Sequence, residues 1–198
     1  IGDGRLVEPY LAALLHEIEA CAEMAREMGL HIRVGYIGGG TPSSLTTPQL
    51  DRLLAHVERH FGALAEFTVE AGRPDTLDVQ KLRMLRDHPV TRISINPQTM
   101  NDATLTRIGR AHTAKQTVEA YELARSIGFD DINMDVIAAL PGEDYAMFAH
   151  TLAEIRRLRP ESLTVHTLAI KRSSRLHEEK YAQAEQDVCL LYTSDAAD

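Results

Sequence analysis

The chain has no tryptophan and only 5% aromatic residues, which removes the stacking platforms that hold unpaired bases. Its formal charge of -8 repels a phosphate backbone, so nucleic acid is not an expected partner. Two cysteines, Cys21 and Cys189, are too few for a disulfide framework and form no CxxC pair; both read as buried or incidental thiols. No run of roughly 18 apolar residues could span a bilayer, and no basic stretch followed by an apolar segment opens the chain. No membrane association and a cytoplasmic location are therefore expected. GxGxxG, GxxxxGK[ST], HExxH and GxSxG are all missing, which disfavours a Rossmann or phosphate-loop nucleotide site, a zincin and a nucleophile-elbow hydrolase.

What is present is ordinary for a folded domain: 198 residues, 44% hydrophobic and 25% charged, enough to bury a sizeable core. Apolar residues at Leu11, Leu14, Leu15, Ile18, Ala22 and Ala25 predict an amphipathic helix over Glu8 to Met28, closed by Gly29. A β-rich run from His31 to Ile37 leads into Gly38-Gly39-Gly40-Thr41-Pro42, and Thr47 is read as the cap of the next helix. Further strands are predicted at Glu66 to Ala71, Arg92 to Asn96, Asp131 to Ala138 and Ser162 to Ile170. Helices are expected at Thr76 to Arg86, Asp102 to Ile108, Ala114 to Ser126 and Asp144 to Leu158. The strand ends recur about every 30 residues, the size of a βα unit. Such units build either a barrel or a doubly wound sheet, and in both the ligand sits beyond the C-terminal ends of the strands.

Chemistry is therefore sought at those ends. Three consecutive glycines after a buried strand exceed what a turn needs, and expose backbone amides and Thr41 to a small polar ligand. Glu70 ends an apolar strand, where a carboxylate needs a partner: either Arg73 or a ligand. The amide of Gln98 can donate and accept toward adjacent hydroxyls. Arg107 or Arg110 could fork onto a carboxylate. Asp131, Asn133 and Asp135 share one face of a strand, an inward polar row that favours a barrel over an open sheet. His56 and His60 lack a third ligand and read as a surface pair, while His166 could face pocket or core.

Taken together, YIGGGTPS (36–43), FTVEAGRPDT (67–76), RISINPQTMND (92–102), RIGRAHT (107–113) and INMDVIAALPGED (132–144) resemble the radical S-adenosylmethionine (SAM) coproporphyrinogen dehydrogenase family. EAGRPDT and SINPQTM are most like its HemZ branch. The resemblance covers about residues 8–176 and implies a partial (β/α) barrel of the radical SAM type over residues 1–176, five or so parallel strands alternating with helices. Residues 177–198 are then a remnant outside the core. It implies that Gly39, Gly40 and Thr41 hold the methionine end of SAM. Glu70, the ribose-binding Gln98, the carboxylate-binding Arg110, Asp135 and a backbone contact at Ala169 complete the site. It further implies a porphyrinogen substrate, an electron donor such as a flavodoxin or ferredoxin, and a [4Fe–4S] cluster. The family's CxxxCxxC cluster motif does not occur in this chain. Ile1 is not an initiator methionine and LLYTSDAAD (190–198) continues no earlier pattern, so truncation at both ends is expected, with the cluster cysteines just upstream.

Overall fold

A computed structural model describes residues 4–168 of the chain. Five strands, β1 (Val34–Ile37), β2 (Glu66–Gly72), β3 (Arg92–Gln98), β4 (Ile132–Ala138) and β5 (Ser162–Thr167), form one sheet in sequential order with every pairing parallel. Between them run α1 (Val7–Glu27), α2 (Thr47–Phe61), α3 (Val79–Asp87), α4 (Asp102–Arg107), α5 (Ala114–Ile127) and α6 (Tyr145–Leu158), with α1 leading into β1. Right-handed crossovers between successive neighbours place all the helices on one face. A doubly wound sheet reverses its strand order to cover both faces, and no reversal occurs here. The fold is a curled half-barrel, the alternative that the inward polar row of β4 favoured.

Alternation sorts each strand. Phe67, Val69, Ile93, Ile95, Met134 and Val136 point to the helices and are fully buried with Leu50, Leu54, Leu82, Leu85, Ala124 and Ile155. At about 25 cal/mol per Å² of apolar area removed from water, this layer supplies the driving force of the fold. The opposite face of the strands carries Tyr36, Thr68, Glu70, Ser94, Asn96, Asn133 and Asp135.

The helix starts show where local rules were misread. Thr46, not Thr47, caps α2, in a capping box with Gln49. The predicted Thr76 to Arg86 helix splits into a 3-10 turn at Pro74–Thr76 and α3, because the Asp78 side chain accepts from the Lys81 amide and restarts the helix. Asp144 caps α6 in the same way. The strand predicted from Ser162 forms as β5, the last in the order of the described sheet, and Leu163 on it stays 41% exposed. Its predicted end at Ile170, like Ala169, Cys189 and residues 177–198, lies outside the described residues.

Candidate functional site at the C-terminal edge of the sheet

Register fixes the site's floor. Across the inner face, Glu70 lies opposite Ser94, Ser94 opposite Asn133, and Asn133 opposite Ser162; Asp135 and Thr164 form the next row toward the C-terminal edge. These side chains are one hydrogen-bonded chain. Asn96 Nδ2 donates to Glu70 Oε1 (3.2 Å), and Ser94 Oγ donates to Asn96 Oδ1 (2.7 Å). Asn133 Nδ2 donates to Ser94 Oγ (3.0 Å) and Asp135 Oδ1 (2.6 Å), while Ser162 and Thr164 donate to Asn133 Oδ1. Both carboxylates are held by neutral donors alone, which leaves acceptor capacity on each. The Arg73 alternative for Glu70 is excluded: Arg73 is committed to a two-pronged pair with Asp75, at 3.1 and 2.7 Å. Asp131, grouped by parity with Asp135, instead precedes β4 at the opposite end and pairs with Arg92 (2.9 Å). It does not belong to the site.

The glycine loop rises at one side of this floor. Gly39 N donates to Glu70 Oε2 (3.1 Å), tying loop to strand. A Cβ on Gly38 would stand 2.3 Å from the Tyr36 ring and 3.0 Å from Glu70 Oε2, and Gly39 has φ +101°, so neither position accepts a larger residue without strain. Added Cβ atoms on Gly39 or Gly40 would meet nothing within 4 Å, so the space before the loop is an open cradle. Backbone strain collects at the same edge: Thr41, Gln98 and Ala139 follow or end β1, β3 and β4 with φ of 83°, 68° and 62°. The break in register between Ile95 and Gln98 carries this twist, and buried Gln98 makes no side-chain hydrogen bond among the described residues.

Charge completes the edge. Arg110, in the loop between α4 and α5, makes no ion pair among the described residues. Burial lowers its pKa, the Arg73 guanidinium lowers it further, and Asp75 opposes both. Arg107 lies instead against Gly142 beyond β4. Burial pushes Asp75 up, but its hydrogen bonds and charge pairing with Arg73 outweigh this and hold it low. Local burial, then the charges of Glu70 and Asp135, raise the Tyr36 phenol. His166 pairs in register with Ile137, on the same face as Asp135.

Sequence reasoning missed Asn96, Ser94 and Tyr36. The signal was available in β3, where Ser94 and Asn96 alternate with Ile93 and Ile95 as Asn133 and Asp135 alternate with Met134. The His56 and His60 rings lie tilted at 4.4 Å, with His56 Nε2 at 2.9 Å from Leu15 O, a contact between helices rather than a free surface pair. Cys21 is exposed on α1, and no group of three or more His, Cys, Asp or Glu able to hold a metal occurs among the described residues.

Fold and edge define a partial parallel βα barrel with a polar floor, an open backbone cradle and, at the ligand end of its strands, a guanidinium with no ion pair among the described residues. The model of the radical SAM superfamily matches residues 10–155, and the chain belongs to that family. The chain is 43% identical over 183 residues to the oxygen-independent coproporphyrinogen-III oxidase-like protein HemZ of Bacillus subtilis, covering 91% of this chain and 36% of that protein. It is 36% identical to the haem chaperone HemW of the same organism, covering 83% of this chain and 44% of HemW. Coproporphyrinogen III oxidase (HemN) from Escherichia coli, a radical SAM enzyme, superposes with a TM-score of 0.82 at 28% identity, over 96% of this chain and 44% of that one. The chain thus spans 36 to 44% of the length of these relatives. Methylornithine synthase shares the fold at a TM-score of 0.66 and 17% identity.

Proposed function

We propose that this chain is the SAM-binding part of an oxygen-independent coproporphyrinogen III dehydrogenase, which converts two propionate groups to vinyl groups by oxidative decarboxylation. The observation that carries the reading is the hydrogen-bonded floor from Glu70 through Asn96, Ser94 and Asn133 to Asp135, set against an open glycine cradle. Gly39, Gly40 and Thr41 receive the methionine end, with Arg110 forking onto its carboxylate. Glu70, Gln98 and Asp135 supply acceptors and an amide for the amino and ribose groups. When bound and given one electron by a donor such as a flavodoxin or ferredoxin, SAM would supply the 5′-deoxyadenosyl radical that takes hydrogen from the substrate. The protein's own share is to fix SAM's orientation and to shield that radical from water. The cysteines of this chain do not fit a [4Fe–4S] cluster: Cys21 is alone on α1, and the chain holds only two. No step is assigned to a cluster.

HemW-like relatives support a second reading, a haem chaperone on the same scaffold, with the same SAM site. Both readings are tested in the full-length protein by titrating SAM calorimetrically, then assaying coproporphyrinogen III turnover and haem binding side by side. Turnover with weak haem binding supports the dehydrogenase, haem binding without turnover supports the chaperone, and no SAM binding overturns both.

A further inference from the structure

Lys81, in the first turn of α3, is 8% exposed yet makes no ion pair among the described residues. A lysine so placed loses hydration and needs its donors satisfied. Its Nζ donates to Ser43 O (2.6 Å) and Thr76 O (3.3 Å). The neighbouring Asp78 carboxylate accepts the Lys81 backbone N–H (2.7 Å) and forms no ion pair with its ammonium. A methionine of similar length would fill this space without burying a charge. What the ammonium adds is a link between two strand-end loops, one after β1 and one after β2.

A second link runs beside it. Thr76 Oγ1 gives its only proton to Arg73 O (2.7 Å), so Ser43 Oγ must be the donor in its 2.6 Å contact with Thr76 Oγ1. The glycine loop is therefore clamped at both ends by the adjacent βα unit: Glu70 holds the Gly39 amide, and Lys81 with Thr76 holds Ser43. Gly40 and the strained Thr41 lie between the clamps.

Resting on the SAM-site reading above, we propose that Lys81 is a positioning residue: by bonding the Ser43 and Thr76 carbonyls it fixes loop 38–44 in the shape that receives the amino-acid end of SAM. Lys81 does not touch the ligand. It acts through the loop backbone, so its effect is confined to the part of the ligand that the loop holds.

The test uses the full-length protein with Lys81→Met, titrated with SAM and with 5′-methylthioadenosine, which lacks the amino-acid end. SAM affinity is expected to fall about tenfold, the scale of one lost charge-assisted hydrogen bond, with methylthioadenosine changed less than about twofold. Hydrogen exchange should quicken in residues 38–44 and stay unchanged in β2, β3 and β4. Thr76→Val, which keeps the Lys81 contacts and removes the hydroxyl junction, should shift SAM affinity the same way by less, and carries the test if Lys81→Met does not fold. Equal loss for both ligands, or unchanged SAM affinity beside weakened binding in Asp135→Ala, overturns the positioning role alone. No SAM binding by the unaltered protein overturns the site reading and this inference with it.

Discussion

The two ends of the sheet carry similar residues and treat them oppositely. At the N-terminal end every featured charge meets its opposite. Arg92 reaches Asp131 (2.9 Å) and Glu66 (3.2 Å). Arg125 clasps Glu161 at 2.6 and 2.7 Å, bonds the Tyr121 hydroxyl and takes the Phe129, Asp130 and Arg159 carbonyls, while Glu161 also accepts from the Ile132 amide. At the C-terminal end, among the described residues, Glu70 and Asp135 receive only neutral donors and Arg110 has no counter-ion in contact. One end spends its polar groups on the fold; at the other, the Arg73–Asp75 pair aside, Glu70, Asp135 and Arg110 keep capacity for a ligand. That is the division of labour expected of a βα barrel, stability below and chemistry above. It is visible here in which partners each charge has.

Substitutions at the two ends should therefore separate binding from stability. The largest effect expected is on binding: Asp135→Ala in the full-length protein should weaken SAM roughly 30- to 100-fold, the equivalent of about 2 to 3 kcal/mol for hydrogen bonds to a charged group, and leave the melting temperature within about 2 °C. Calorimetry and thermal unfolding of one preparation check both halves. Arg125→Ala should do the reverse, losing about 2 kcal/mol of stability in urea unfolding with SAM affinity unchanged. That figure is kept modest because the Arg125 and Glu161 side chains are 28% and 42% exposed.

Acid should act on the two ends in sequence. Burial holds the His112 imidazole below 6.5, against the Pro97 carbonyl and Asp75, which favour protonation. The native state thus prefers neutral His112; its contribution is full above pH 6.5 and is lost as pH falls through the lower native value. Burial raises Glu161, but hydrogen bonds from Arg125 and the Ile132 amide prevail and hold it below 4.5, so its contribution disappears only at lower pH. His112→Gln should flatten the stability profile below pH 6.5 and leave the later acid loss in place; an unchanged profile would show that His112 is not the group responsible. Smallest of all, Asp131→Asn should cost under about 1 kcal/mol, since the pair it breaks is part-exposed, and should leave SAM affinity untouched. A loss of affinity would restore Asp131 to the site.

Much of this was legible beforehand because it is local. A two-residue period separates the Ile93, Ile95 face of β3 from its other face, and a three-to-four period marks α1 and α2. A glycine run with a following threonine and proline marks the end of β1. Parity, however, assigns a residue to a face and not to an end, and so Asp131 was grouped with Asp135 until register set it beside Arg92. The Lys81 clamp was not legible for the same reason. Its partner Ser43 lies 38 residues away, and nothing in the window around either residue connects them.

The sequence by itself determined the repeating βα units, the polar face of β4 and the family's motif positions, because periodicity and backbone chemistry act over a few neighbouring residues. Only the tertiary structure decided that Arg73 pairs with Asp75 rather than Glu70, that Asn96 and Ser94 join the two carboxylates into one floor, and that Lys81 bonds the Ser43 carbonyl of the glycine loop. Those outcomes depend on which loops meet at the sheet edge, and strand order with register sets that over distances no local pattern records.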